Sequence, residues 1–305
     1  MSRTGDAMRV LLDSPTNSRD TKFYDLISFD PRGLGHSTPS VHCFADIDDF
    51  RIWSTKLAQE GTLTSSEAAL SHHWAMMQSV GRSCADAVSE DVKRYVSTAF
   101  VAADLLALTE AHGAWREREA ARLMSARTVA LRFMPQTLRH RVGEEKIQYY
   151  GFSYGTTIGA TFAAMYPNRI ERFVLDGVMD VVGYITGPDK AMVDIEKALG
   201  LFFHHCARVG PVGCAFAGEG MTAATISKRY EAVVDRLRDY PLPVVGTTPD
   251  IITYSILDSE VFVAMYNPVR EWPLLAHLLA NIEAGQKVGY IDQRSSVSEL
   301  QLIRR

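Results

Sequence analysis

Between Lys146 and Gly177 the chain reads KIQYYGFSYGTTIGATFAAMYPNRIERFVLDG. Ile147, Tyr149 and Tyr150 are β-branched or aromatic, as a half-buried strand requires. The stretch TTIGATFAAMYP has helical spacing, with Ile158, Phe162 and Met165 on one face and Pro167 closing it. IERFVLDG then reads as a second buried strand ending at Asp176–Gly177. Strand, tight turn, helix and strand form a βαβ unit. Its two strands must lie parallel, joined by a right-handed crossover. The chain is therefore expected to belong to the α/β class.

The turn itself is Gly151-Phe152-Ser153-Tyr154-Gly155, the pattern G-x-S-x-G. A sharp strand-to-helix turn projects a serine away from the sheet, and glycines two residues to either side remove Cβ atoms that would collide there. Ser153 is thus a candidate nucleophile, with Gly151 and Gly155 as the glycines of the turn. The backbone N–H of Tyr154 would lie at a helix N-terminus, where free donors and the helix dipole favour an oxyanion.

Elsewhere the pattern is less local. YDLISFDPRGLGHS opens with an apolar run, Tyr24–Phe29, closed by Pro31 and Gly33, and is expected to be a buried strand feeding a loop. Residues 44–143 read as helical and polar. Within them STAFVAADLLALTEAHG has Ser97 or Thr98 as N-cap, Val101, Leu105 and Leu108 at helical spacing, and a stop at Gly113. A charged amphipathic helix follows up to Pro135. From about residue 181 the pattern is again helical, broken at Pro241 and Pro243, and no core strand is expected after Asp176.

A length of 305 residues fits one or two domains at roughly 150 residues each. Net charge is −4, with no basic stripe of the kind a nucleic-acid partner would need. No apolar run approaches the roughly 20 residues of a membrane span. Near the N-terminus the apolar stretch is only Val10-Leu11-Leu12, too short for a signal-peptide core. No H-E-x-x-H or comparable ligand cluster occurs, and no metal or other cofactor is expected. The four cysteines, Cys43, Cys84, Cys206 and Cys214, show no C-x-x-C spacing. They are either free thiols or two disulfides with three possible connectivities. The segment CARVGPVGC contains glycines and a proline that permit a turn between Cys206 and Cys214.

Four stretches in order carry a family resemblance: YDLISFDPRGLGHSTP, YVSTAFVAADLLAL, YYGFSYGTTIGATFAAMYPNRIERFVLDGVMD and FFHHCARVGPVGCAF. Together, over about residues 24–285, they resemble the tripeptidyl aminopeptidase-like members of the α/β-hydrolase superfamily, in the prolyl aminopeptidase group of serine peptidases. The resemblance implies a partial α/β-hydrolase fold with a parallel sheet core and a large helical cap. It places the core in residues 1–180, with a helical excursion at about 44–143, and the cap in 181–305. It implies Ser153 as nucleophile, Tyr154 as oxyanion-hole amide, and a peptide or small-molecule substrate cleaved through an acyl-serine. Cys206 and Cys214 sit where the family has cysteines in the cap, and Cys43 and Cys84 flank the helical excursion. The family is largely secreted, which favours disulfides and a secreted protein; a native start at Met1 would instead imply a cytoplasmic one.

The resemblance also implies parts that the 305 residues do not show. A triad needs a histidine and an acid, which follow the serine in this superfamily. The family carries them in a C-terminal segment, an aspartate and then a Gly-His, and has a glycine-rich oxyanion loop upstream of the region where this sequence begins. After Ser153 the only histidines are His204, His205 and His277, all read as packing residues of apolar helices. Asp176 is read as a turn-former before Gly177. His36, in the GLGHS loop, is not expected to act as a base. The chain is therefore expected to be a serine hydrolase of aminopeptidase type. The alternatives are a catalytically impaired or truncated relative, and a tailoring hydrolase or acyltransferase of a small-molecule pathway.

Overall fold

The computed structural model describes residues 26–87, 90–126, 133–187, 194–245 and 249–285. They divide into two compact units, one within Met1–Ala45 and Ser83–Val181, the other within Asp46–Arg82 and Val182–Arg305.

The first unit is built on the predicted βαβ motif. Strand β1 (Ile147–Ser153) and strand β2 (Ile170–Val178) lie parallel, with Tyr149 opposite Phe173, Tyr150 opposite Val174 and Phe152 opposite Asp176. A helix, Tyr154–Met165, makes the crossover. It ends where Pro167 starts a 3-10 turn, because proline cannot continue the hydrogen-bond ladder. Ile158 and Phe162 are buried as predicted, but Met165 is 42% exposed. A long helix, Thr98–Ala126, packs beside the crossover helix. Val101, Ala102, Leu105, Ile158 and Phe162 form the core between them, closed by Tyr149 and Phe173 from the sheet.

Two sequence expectations are corrected in this unit. Gly113 does not stop a helix; Thr98–Ala126 runs straight through it. The glycine is a notch: a Cβ there would sit 2.6 Å from Cδ of Glu145. Glu145 lies there because both its oxygens accept from Arg116, each at 2.9 Å. The expected strand at Tyr24–Phe29 is also absent over its described part. Residues 26–30 join no ladder, and Leu26 and Ile27 are 47% and 60% exposed. Tyr24 and Asp25 lie outside the described residues. Asp30 is instead bonded into its own loop, where its Oδ2 accepts the His36 N–H at 2.9 Å. Arg32 fixes this loop to the long helix through Asp104, with Nε donating to Oδ2 at 2.7 Å.

Around Glu110 the first unit carries a polar network. Glu110 accepts from His140 Nε2 at 2.8 Å, from the Gly143 N–H at 3.0 Å and from Arg169. Arg169 Nε in turn donates to the Glu145 carbonyl at 2.7 Å. Burial by itself would raise both carboxyl pKa values. For Glu110, the bonds from His140 and Arg169 outweigh it, with the Arg169 charge and the Gly143 amide adding to them; for Glu145, Arg116 and the Arg141 amide do so. Both carboxyls are held below their usual range.

The second unit is helical. Its described helices are Ile47–Glu60, most of Ala69–Ala87, Ile195–Gly213, Ala223–Asp239, Tyr254–Tyr266 and Pro268–Ala284. Their N-caps follow from sequence: Asp46, Thr222, Thr253 and Asn267 each accept a first-turn N–H. Phe202, Phe216, Ile226, Leu237, Leu257, Leu278 and Leu279 are fully buried in its core. Among the described residues no strand after β2 joins its sheet, but a separate short pair that the sequence did not signal lies in this unit. Leu242–Val244 and Asp250–Ile252 form a short antiparallel pair, with Pro243 opposite Ile251 and Ile252 buried. In a sheet of two strands each strand keeps a free edge, so Pro243 needs no ladder donor on that side.

All four cysteines are paired, Cys43 with Cys84 and Cys206 with Cys214. This selects one of the three connectivities. Among the described residues, no helix is long and apolar enough to cross a membrane.

Candidate active site: the strand-to-helix elbow at Ser153

Ser153 is the last residue of β1, and Tyr154 is the first of the crossover helix. At the join Ser153 adopts φ 54° and ψ −126°. Among the described residues it is the one non-glycine with positive φ. A side chain in so sparsely populated a region costs about 1–3 kcal/mol and persists only where its surroundings impose it. The serine is solvent-exposed, and among the described residues no hydrogen bond reaches its Oγ.

Several contacts impose the turn. A Cβ at Gly151 would lie 2.6 Å from the Gly155 carbonyl oxygen and 2.8 Å from its carbon. Strand and helix backbones therefore approach there to a distance only glycine allows. At Gly155 itself a Cβ would meet only Tyr149 Oη, at 3.4 Å, an ordinary contact. The close approach is thus at Gly151. Gly159 makes a second one: its Cβ would fall 2.6 Å from Leu175 Cδ2 and 2.8 Å from Tyr149 Cε1. That glycine seats the helix on the sheet. The repeat Gly155-x-x-x-Gly159 was the signal for it.

Hydrogen bonds complete the elbow. Tyr149 Oη donates to the Gly155 carbonyl at 2.7 Å. Burial and neighbouring Tyr154 push the Tyr149 phenol pKa up, so it stays a donor. Thr156 Oγ1 donates to the Ser153 carbonyl at 2.7 Å and accepts the Met179 N–H at 3.0 Å. Tyr154 is 40% exposed, and its hydroxyl lies 3.0 Å from Thr98 Oγ1. As the first helical residue, its N–H has no acceptor within the helix. Of these residues Gly159 had a sequence signal in its repeat with Gly155, whereas the roles of Tyr149 and Thr156 depend on partners that only the fold supplies.

The other singled-out residues lie as follows. Asp176 is inside β2 and does not cap a turn; its Oδ2 accepts the Tyr150 hydroxyl at 2.5 Å across the sheet. That bond, with minor help from burial and the Asp176 charge, holds the Tyr150 pKa above its usual range. His36 belongs to the Asp30 loop. His204, His205 and His277 belong to the second unit. His204 and His277 are exposed and not packed, and His205 is half-buried with its ring 5.8 Å from that of Trp272. Among the described residues no cluster of His, Cys, Asp and Glu is arranged to hold a metal ion.

A parallel βαβ unit thus presents an exposed serine at positive φ between a strand and a helix N-terminus, a sharp strand-to-helix elbow. The sequence profile of the alpha/beta hydrolase fold family matches residues 15–204, more than half of the chain, and the chain belongs to that family. It is 26% identical over 257 residues to the serine protease Hip1 of Mycobacterium tuberculosis (strain CDC 1551 / Oshkosh), covering 80% of this chain and 41% of that protein. It is likewise 26% identical over 273 residues to carboxylesterase B of the same strain, covering 88% of this chain and 44% of that protein. Tripeptidyl aminopeptidase of Streptomyces coelicolor (strain ATCC BAA-471 / A3(2) / M145) is 26% identical over 172 residues, 56% of this chain and 25% of that protein. The chain thus spans less than half the length of these curated relatives.

Proposed function

We propose that the chain is the nucleophile-bearing part of a serine hydrolase of aminopeptidase type, cleaving peptide, amide or ester bonds through an acyl-Ser153 intermediate. The observation that carries this reading is the Ser153 backbone: a positive φ at an exposed serine, held by the close approach at Gly151 and by the hydrogen bonds of Tyr149 and Thr156. Strain of this kind persists where function uses it. Ser153 Oγ would attack the carbonyl carbon, its proton passing to a base and then to the leaving amine or alcohol. The oxyanion formed would accept from the Tyr154 N–H, with Gly151 and Gly155 shaping the turn. Residues 181–305, which from Val182 on make up the second, helical unit together with Asp46–Arg82, are read as the cap that selects substrate. The names of the relatives, protease, aminopeptidase and esterase, support acyl transfer and leave peptide and small-molecule substrates both in view. Two disulfides fit an oxidising, extracellular setting.

The test is turnover of aminoacyl- and peptidyl-anilides and of short-chain aryl esters by the purified chain, against Ser153→Ala. A serine-dependent rate supports the reading. A folded chain no faster than Ser153→Ala on every substrate supports the catalytically impaired alternative.

A further inference from the structure

We propose that Thr156 is a positioning residue, whose hydroxyl sets the plane of the Ser153–Tyr154 peptide and so aims the Tyr154 N–H. The inference rests on Ser153 acting as the nucleophile. A peptide is planar and trans, so its C=O and N–H point in opposite directions. Holding the Ser153 carbonyl therefore fixes the direction of the Tyr154 amide. Thr156 Oγ1 holds that carbonyl at 2.7 Å.

Threonines commonly back-bond to a carbonyl three or four residues earlier in a helix, and that alone would mean little. Three things set Thr156 apart. The residue is 1% exposed, so its hydroxyl is sheltered from water. The hydroxyl is used twice, because the Met179 N–H donates to it at 3.0 Å. And the carbonyl it holds belongs to the residue with φ 54°. Met179 is the first residue after β2, two residues beyond Gly177, which has φ 61° inside the strand. One buried hydroxyl thus joins the elbow to the end of the neighbouring strand. Valine has the shape of threonine without the hydroxyl, and would remove both the acceptor of the Met179 N–H and the donor to the Ser153 carbonyl.

The experiment uses the full chain as wild type, Thr156→Val, Thr156→Ser and Ser153→Ala. Residue-resolved amide exchange reads Met179, carbon chemical shifts read the Ser153 backbone, and a fluorophosphonate concentration series reads the maximal labelling rate and the half-saturating concentration. Thr156→Val should speed Met179 exchange and move the Ser153 shifts. It should also lower the maximal labelling rate about tenfold to a hundredfold at an unchanged half-saturating concentration, as loss of a buried hydrogen-bond partner predicts. Thr156→Ser should restore all three. An unprotected Met179 amide in the wild type overturns the proposal, and this holds even if the valine variant does not fold. So does a folded Thr156→Val chain that labels at the wild-type rate. If the wild type labels no faster than Ser153→Ala, the nucleophile reading fails. The Met179 exchange and Ser153 shifts then decide the tether: unchanged in Thr156→Val they overturn it, changed they uphold it.

Discussion

Tyr149 and Gly155 are joined across the elbow: the phenol of a strand residue donates at 2.7 Å to a carbonyl in the first turn of the following helix. The same ring stands against Gly151 and Gly159, which explains why both must lack a side chain. Tyr149→Phe keeps the ring and removes the bond. It should cost about 1 kcal/mol of stability. Chemical denaturation measures this, and an unchanged midpoint would show that the bond contributes nothing.

The two glycines of the motif should respond differently to alanine. Gly151→Ala drives a methyl into the Gly155 backbone and should destabilise by about 1–3 kcal/mol, with loss of any Ser153-dependent activity. Gly155→Ala meets only a hydroxyl at 3.4 Å and replaces a helical glycine, so it should be neutral or gain up to about 1 kcal/mol. Paired thermal melts of the two variants check the contrast.

The elbow was legible because its signals are local. Strand propensity, a G-x-S-x-G turn, apolar helical spacing and Pro167 all lie within one βαβ unit. What was misread depends on distant residues. Gly113 looked like a helix stop because nothing nearby reveals that Glu145 and Arg116 occupy its notch. The run at Leu26–Phe29 has strand composition, but a strand also needs a ladder, and Asp30 bonds into its own loop instead. Asp176 had the sequence context of a turn-former, whereas the hydroxyl it accepts stands on the adjacent strand. The disulfide pairing needed the fold for the same reason.

The Glu110 network predicts how stability depends on pH. Glu110 and Glu145 have folded pKa values lowered below the ordinary value of about 4.3. Their contribution is therefore complete above that value and is lost as pH falls through the lower folded values. Urea midpoints should hold between about pH 7 and 5 and then fall below about 4.3. Glu110→Gln should lower the neutral-pH midpoint and flatten the acid limb. An acid limb as steep as wild type in that variant would contradict the assignment.

Reducing the disulfides should destabilise the chain unequally. By loop closure, the Cys43–Cys84 bond, spanning 41 residues, is worth about 4 kcal/mol, and Cys206–Cys214, spanning 8, about 2.5 kcal/mol. Paired cysteine-to-serine variants, melted separately, should therefore rank in that order.

On the proposed reading, the strained backbone at Ser153 holds a working nucleophile. Mass spectrometry of the folded chain after fluorophosphonate treatment tests it most directly. A single adduct is expected on the peptide containing Ser153, absent from Ser153→Ala. A folded chain left unmodified, or modified only at another residue, would contradict it.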